Sequence, residues 1–222
     1  MFPTMTAPIS DLLPYILPHA PTVPTPFAEF QARLAAIEFC ERTRCWRQII
    51  NTVVDATGRA CITAHTATIH EFEEATLDGV SLTPTQFTEA EPGQLTGVSQ
   101  EGQAKYITQI TPGEVLVYPI QSGDLRVSCF LKPRHGQSMG TDAENPLNDE
   151  YNVIPDFMVK QYAAALADGA LARIMSTPKQ DFTDLSLSVF HRGEFEKACN
   201  GHFGANMRGQ QRAPKRVKAR WL

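Results

Sequence analysis

Residues 155–175, PDFMVKQYAAALADGALARIM, decide the fold of this chain. Apolar residues recur there at steps of three and four, which predicts one buried stripe of an α-helix: Val159, Tyr162, Leu166, Ala170 and Ile174. Pro155 and Asp156 suit a helix N-terminus, and Pro178 cannot continue the helix. We therefore predict a helix over 156–176.

The interior of this helix is rich in small residues, which cover little surface but let another backbone approach closely. Gly169 and Ala170 lie at its centre. We expect them to form the closest contact with neighbouring helices.

Two more helices are predicted on either side of a β-rich region. Helix 27–46 follows Thr25 and Pro26, an N-cap and a first-turn proline, and its apolar stripe is Phe27, Phe30, Leu34 and Ile37. Helix 183–199 is indicated by Leu185, Leu187, Val189, Phe190, Phe195 and Ala198, and we expect Gly201 and Gly204 to end it.

Between residues 49 and 133 the hydrophobic period changes toward two, with β-branched residues and regular turn signals. About six to eight strands of an antiparallel sheet fit this length. Asp78-Gly79 favours a type I′ hairpin, because both residues tolerate a positive φ.

The economical arrangement of these elements is α+β. We predict a Pro-rich N-terminal arm over 1–26, with a short helix or turn around Ile9 to Leu17. A small helical bundle from 27–48 and 150–205 and an inserted antiparallel β subdomain over 49–133 follow. A long loop over 134–149 and an extended basic C-terminal arm over 206–222 complete the chain.

Composition favours a soluble, unexported, cytosolic protein. The 222 residues are 42% hydrophobic, which is sufficient for a core, and no run of 18 apolar residues occurs. The five cysteines are scattered and odd in number, which suits reduced, buried thiols better than a disulfide framework.

Charge is distributed unevenly along the chain, whose net charge is −4. Six basic residues and no acidic one follow position 207: Arg208, Arg212, Lys215, Arg216, Lys218 and Arg220. Removing these six from the 20 basic residues leaves 14 against 24 acidic ones, a balance of −10 for the rest of the chain.

A search for clustered titratable groups indicates no enzyme, metal or cofactor. His70 to Glu74, HEFEE, lacks the second histidine of a zincin motif and reads as a strand. Cys40 and Cys45 lie five apart on the predicted helix and so do not share a face. His191 and His202 have no carboxylate in fixed register, which favours solvated or capping histidines.

The basic arm has two readings: a solvated chain terminus, or a binding segment in which charge steers and Trp221 and Leu222 anchor. We favour binding, because the rest of the chain is acidic. Six cations without an acid cannot form a core alone, so we expect the arm to order only on a partner.

Several short segments resemble the head-to-tail adaptor (neck or connector) proteins of tailed bacteriophages, over roughly residues 27 to 203. They are Phe39-Cys40-Glu41-Arg42-Thr43 with Trp46, Leu77-Asp78-Gly79 leading to Leu82-Thr83-Pro84, Tyr118-Pro119, and Ile154-Pro155-Asp156 followed by Tyr162 and Gly169 to Ile174.

This resemblance implies a structural virion protein of the neck, made in the host cytoplasm, with no enzymatic activity, cofactor or membrane contact. It implies a ring of twelve subunits whose C-terminal arm docks into the portal protein. Tail or nozzle proteins would then lie below, and DNA would pass through the lumen without sequence-specific binding.

The competing hypothesis is a DNA-binding packaging or scaffold factor that uses the basic arm on phosphates. A third, less favoured, is a β-sandwich hydrolase or glycan binder.

Overall fold

The computed structural model describes residues 5–64, 67–86, 102–135 and 152–209, and it confirms the α+β class. Its α-helices are α1 (Leu13–Ile16), α2 (Thr25–Thr43), α3 (Asp156–Met175) and α4 (Leu185–Arg208). Its strands are β1 (Thr6–Pro8), β2 (Arg47–Val54), β3 (Arg59–Cys61), β4 (Ala67–Leu77), β5 (Val80–Pro84), β6 (Tyr106–Thr111), β7 (Glu114–Tyr118), β8 (Gly123–Pro133) and β9 (Val153–Pro155).

The chain divides into two compact units. The helical unit lies within Met1–Cys45 and Lys132–Leu222, and the β unit is Trp46–Leu131. The chain thus leaves the helical unit just after α2 and returns to it near the end of β8.

Helix α3 is the centre of the helical unit. It begins after Pro155, whose extended backbone forms the N-cap, and its bounds agree with the predicted 156–176 to within one residue. Leu166, Ala170 and Ile174 of the predicted stripe are buried. Residues on other sides are buried as well, namely Ala163, Ala165, Ala167, Gly169, Leu171, Ala172 and Met175, because α3 packs against both α2 and α4.

The buried face of α2 differs from the prediction. Phe30 is 48% exposed, Phe27 and Leu34 are half-buried, and only Ile37 of the predicted stripe is buried. The face turned inward is mostly alanine: Ala28, Ala32, Ala35, Ala36, Phe39 and Cys40. A face of large aromatic residues would hold α2 and α3 apart, whereas alanine lets the backbone of α2 approach that of α3 closely.

Gly169 lies where the three long helices meet. A Cβ atom built on it would lie 2.7 and 2.8 Å from two ring atoms of Phe195 on α4 and 3.0 Å from the Cβ of Ala35 on α2. These distances are well below the 3.5–4.0 Å of favourable carbon contacts, so only glycine fits here without a shift of its neighbours.

An ion network also joins these helices. Arg173 of α3 and Arg192 of α4 both donate hydrogen bonds to the Glu38 carboxylate of α2, and Arg192 Nη2 lies 2.8 Å from Glu38 Oε1. Burial raises the pKa of Glu38, but the hydrogen bonds from Arg192 and Arg173 outweigh burial, so the pKa of Glu38 is lowered from its usual value.

Helix α4 is longer than predicted. The expectation that Gly201 and Gly204 end the last helix is wrong, since α4 continues to Arg208 and ends at Gly209, with a positive φ of 63°. Tertiary contacts support the extra turns: Tyr162 Oη donates to Asn206 Oδ1 (3.3 Å), and Asn206 Nδ2 donates to the Thr43 carbonyl (3.2 Å). These contacts offset the low helix propensity of the two glycines.

In the described part of 1–26, the short helix or turn expected around Ile9 to Leu17 is present, but the segment is packed and is not an extended arm. β1 pairs antiparallel with β9, and a short 3-10 helix (Ile9–Leu12) leads into α1. Ile9, Leu12 and Ile16 are fully buried in the helical unit. The prolines of this part of the chain therefore lie between short elements that pack against the helical unit, and they do not form an extended arm.

The β unit is built on a sheet of seven strands in the order β2-β8-β4-β5-β6-β7-β3, within the predicted range of six to eight. The sheet is nearly closed, because the Thr52 hydroxyl of one end strand donates to the Cys61 carbonyl of the other at 3.1 Å. Alternate residues of β8 fill the interior, namely Leu125, Val127 and Cys129.

The sheet is not wholly antiparallel, which corrects the prediction. β5 and β6 pair in parallel, with Thr83 opposite Tyr106. Two parallel strands need a connection longer than a hairpin. Turn signals in the sequence mark where strands end, but they do not show whether the next strand runs parallel or antiparallel. The hairpin at Asp78-Gly79 is confirmed: Leu77 pairs with Val80, and φ is 48° and 81° at the two turn residues.

Most of two predicted segments falls outside the described residues: 136–149 of the loop over 134–149, and 210–222 of the basic arm over 206–222. The residues that flank 136–151 are joined by Arg33, which is 6% exposed. Arg33 donates to the Asn152 side chain at 2.7 Å and to the Arg134 carbonyl at 3.3 Å.

Candidate assembly surface

Helix α4 begins with a well-formed N-cap. The carboxylate of Asp184 accepts hydrogen bonds from the backbone N–H groups of Ser186 and Leu187, both at 3.0 Å. An acidic residue at this position satisfies two free donors and complements the helix dipole. The cap fixes where α4 begins and therefore which residues face the core.

The inward side of the first half of α4 is partly polar. Ser188 Oγ donates to the Ala172 carbonyl of α3 at 2.7 Å, and His191 Nδ1 lies 2.8 Å from Asp168 Oδ1. Phe195 and Cys199 continue this side and are buried. Each buried polar group therefore has a partner, as burial requires.

The same segment also exposes four large apolar side chains. Leu185 is 66% exposed, Leu187 44%, Val189 73% and Phe190 60%. We call these four residues the outer α4 face. In the sequence these residues served as markers of the last helix, which the structure confirms, and their large side chains face solvent.

The spacing of the inward residues could have revealed this orientation. Ser188, His191, Phe195 and Cys199 recur at steps of three and four, which is the spacing of one stripe of a helix. A reading based on hydrophobicity alone passes over it, because two of its members are polar. Their polar atoms find partners on α3, so the stripe can be buried.

Helix α4 has a second apolar site nearer its C-terminus. Phe203 and Met207 are each 38% exposed, and the guanidinium carbon of Arg44 lies 5.8 Å from the centroid of the Phe203 ring. Between the two apolar sites, a Cβ atom built on Gly193 or Gly201 would meet no atom within 4 Å. There is open space beside α4 at these two positions.

The predicted site residues lie in different places. Gly169 and Ala170 are buried in α3, and Arg208 is exposed at the last position of α4. The other predicted docking residues lie outside the described part of the chain: Arg212, Lys215, Arg216, Lys218, Arg220, Trp221 and Leu222.

His191 is buried, contrary to the expectation of a solvated or capping histidine, whereas His202 is half-buried. His191 is 6% exposed, is bonded to Asp168, and has its ring edge against His19 at a centroid distance of 5.7 Å. His202 packs edge-on against Tyr162 at 4.9 Å. Asp168 belongs to α3, so its pairing with His191 depends on helix packing and not on sequence register.

His70 to Glu74 lie in strand β4, as predicted. Among the described residues, no three His, Cys, Asp or Glu side chains form a cluster suited to a metal ion. Nor does any helix in that part of the chain have the length and apolar character needed to cross a membrane.

Large apolar side chains grouped on the exposed part of a helix are typical of a surface that packs against another protein, as in the subunits of an assembly. The sequence profile of the SU10 adaptor protein family matches residues 9–218, and the chain belongs to this family. This confirms the resemblance to phage head-to-tail adaptors, and the protein is a structural adaptor of the phage virion. No curated protein matches the sequence significantly.

Proposed function

We propose that the protein is a non-enzymatic ring subunit that connects the portal to the tail and forms part of the DNA passage. Membership of the adaptor family supports a role between virion components. The single observation that carries the ring proposal is the exposure of the outer α4 face, since it provides each subunit with an apolar surface for a neighbouring copy. Twelve copies are the number we expect.

The outer α4 face is suited to permanent packing. Fully burying one large aliphatic or aromatic side chain contributes about 1.5–3 kcal/mol. These four side chains are between 44% and 73% exposed, so covering them adds on the order of 1 kcal/mol each. A ring repeats this gain at every subunit boundary.

The ring contact can be tested by charge substitution. Val189→Asp and Phe190→Asp put carboxylates into the outer α4 face, whereas Gln161→Asp, at an exposed position of α3, is the matched control. Mass measured by light scattering, with and without purified portal, should show assembly for wild type and Gln161→Asp only. Ring formation by both face variants would contradict the proposed contact.

The basic arm is the proposed portal-docking segment. Arg208, Arg212, Lys215, Arg216, Lys218 and Arg220 would provide steering toward an acidic groove, and Trp221 with Leu222 would provide the apolar anchor. Losing a buried tryptophan anchor typically costs on the order of 2 kcal/mol or more of binding free energy. Single rim cations mainly change the association rate and its salt dependence.

Two variants test this docking. A chain ending at Gly209 retains the C-terminal cap of α4, in which Gly209 N–H bonds to Ala205, and Trp221→Ala removes only the anchor. Both are expected to bind purified portal more weakly than wild type. Normal binding by both variants would rule out docking by the arm.

The basic arm also favours the second candidate, a DNA-binding packaging or scaffold factor. A channel through which DNA slides should not hold phosphates strongly, and the balance of −10 outside the arm agrees with that requirement. Gel-shift titration of the chain ending at Gly209 should show no micromolar DNA binding at physiological salt. If the full chain binds DNA tightly and with steep salt dependence but ignores the portal, the second candidate is correct.

A further inference from the structure

Two thiols meet at the C-terminal end of α2. Cys40 Sγ and Cys45 Sγ lie 3.8 Å apart, although residues five apart on a continuous helix point in different directions. The helix ends at Thr43, and Arg44 takes the left-handed conformation, with φ 51° and ψ 37°. Its N–H bonds to the Cys40 carbonyl at 2.9 Å, and this C-terminal turn brings the next residue back over the last turn of the helix.

The two thiols differ in access and in acidity. Cys40 is fully buried and lies 3.7 Å from the sulfur of Met158, whereas Cys45 is half-buried. Burial raises the pKa of Cys40, whereas the hydrogen bond with Cys40 lowers the pKa of Cys45 against the opposing effect of burial. Because the thiolate is the reactive form, Cys45 is the better nucleophile of the pair.

The third thiol of the helical unit is less suited to react. Burial raises the pKa of Cys199 to about 11, so this thiol stays protonated at neutral pH. In the β unit, burial raises the pKa of Cys129 to about 12, and Cys61 is exposed on β3.

We propose that Cys40 and Cys45 are an oxidative modification site, at which a low-molecular-weight disulfide converts the two thiols into an intramolecular disulfide. The Cys45 thiolate attacks one sulfur of the oxidant, forms a mixed disulfide and releases one thiolate. Cys40 then loses its proton and attacks the Cys45 sulfur, which releases the second thiolate. The protein loses two electrons and two protons, and the oxidant is reduced to two thiols.

The geometry requires little movement for this reaction. A disulfide bond is about 2.05 Å long, so the two sulfur atoms must approach by about 1.8 Å from their separation of 3.8 Å. Cys45 lies beyond the end of the helix and can adjust its side chain without breaking helical hydrogen bonds. The bond would tie the last turn of α2 to the residue at which the chain leaves the helical unit.

The test uses the full chain in a Cys61→Ser background, which removes the exposed thiol and leaves four of the five cysteines. Folded protein is incubated with oxidised glutathione and then alkylated. Intact mass and peptide mapping locate the oxidised residues, and circular dichroism verifies the fold. We expect a loss of two alkylated thiols, a Cys40–Cys45 linked peptide, and a higher Tm than for the reduced protein.

Single-cysteine variants provide the controls. In Cys40→Ser, the reaction should stop at one glutathione attached to Cys45. In Cys45→Ser, which changes the half-buried member and should fold readily, Cys40 should remain unmodified. A stable mixed disulfide on Cys45 with Cys40 present, a link from Cys45 to Cys199, or no thiol loss would each overturn the proposal.

Discussion

Replacing Gly169 by alanine adds one methyl group at the point where α3 touches α4 and α2. The new carbon would lie 2.7 Å from the nearest ring atom of Phe195, about 1 Å closer than a favourable contact. Phe195 is fully buried, so it cannot move outward to relieve the overlap. The backbones of α3 and α4 must separate, or the ring must take an unfavourable rotamer.

Two effects of opposite sign determine the change in stability. Overpacking costs about 1–3 kcal/mol, whereas alanine has a helix propensity about 1 kcal/mol better than that of glycine. We therefore expect Gly169→Ala to lower the free energy of unfolding by about 1 kcal/mol. For a chain of 222 residues this corresponds to a fall in Tm of about 2–4 °C.

Gly193→Ala is the matched control. Gly193 is an exposed residue within α4, and a Cβ atom there meets nothing within 4 Å, so only the propensity gain of about 1 kcal/mol should appear. Helix propensity cancels between the two variants, and their difference in stability measures overpacking alone. Urea unfolding followed by far-UV circular dichroism gives both values.

A stability gain in Gly169→Ala equal to that of Gly193→Ala would refute the close contact. A second check is the double variant Gly169→Ala with Phe195→Leu, because the smaller side chain makes room for the methyl group. The two changes should then be less destabilising together than the sum of their separate effects.

Three further perturbations test other features. Asp184→Ala removes the N-cap of α4 and should lower the free energy of unfolding by about 1 kcal/mol, whereas nearby Asp181→Ala should stay within about 0.5 kcal/mol; equal losses in urea unfolding would argue against the cap. Gly79→Ala puts a side chain at φ 81° with open space around it, so backbone strain alone should reduce stability by about 1 kcal/mol in thermal unfolding; an unchanged Tm would contradict the strain. The pKa of Glu38 is lowered on folding from its ordinary value of 4.5, so its ion network stabilises fully above pH 4.5 and is lost as pH falls through the lower folded value. Tm measured against pH should therefore show Glu38→Gln below wild type at neutral pH, with the gap closing in acid; a gap independent of pH would exclude this role.

Local signals in the sequence predicted local structure well. The hairpin at Asp78-Gly79 depends on two adjacent residues that tolerate a positive φ, and its position was correct. The start of α3 depends on Pro155 and Asp156, and it was also correct. In both cases the residues that decide the conformation are neighbours in sequence, so no tertiary information is needed.

The faces of the helices were harder to predict. Phe30 was assigned to a buried stripe because it is large and apolar, but a helix packed closely on α3 buries alanine instead. On α4, Val189 and Phe190 indicated a helix but not which of its sides is buried. Ser188 and His191 lie inward, because the Ala172 carbonyl and the Asp168 carboxylate of α3 are their partners. Which face is buried depends on the partner helix, and a single segment does not contain that information.

The pairing of Cys40 with Cys45 was missed for a related reason. Five residues on a continuous helix do separate the two side chains, but the helix ends between them at Thr43. The left-handed conformation of Arg44 is uncommon for residues other than glycine or asparagine. The identity of this residue therefore does not predict its conformation.

The Arg33 contacts suggest a practical use of the protein. Arg33 joins the Arg134 carbonyl to the Asn152 side chain, and Asn152 also bonds to Glu29 and accepts from the Ile9 backbone, so the segment between Arg134 and Asn152 starts and finishes at one fixed point. Doubling the length of a connection whose ends are already held adds only about 0.6 kcal/mol. The contacts of Arg33 and Asn152 fix the start of α3 from residues outside positions 136–151, so insertion of a peptide tag between these positions can be tested without removing any of those contacts. In the ring proposed above, every subunit would present one copy of such a tag, which would make the adaptor a scaffold for multivalent display.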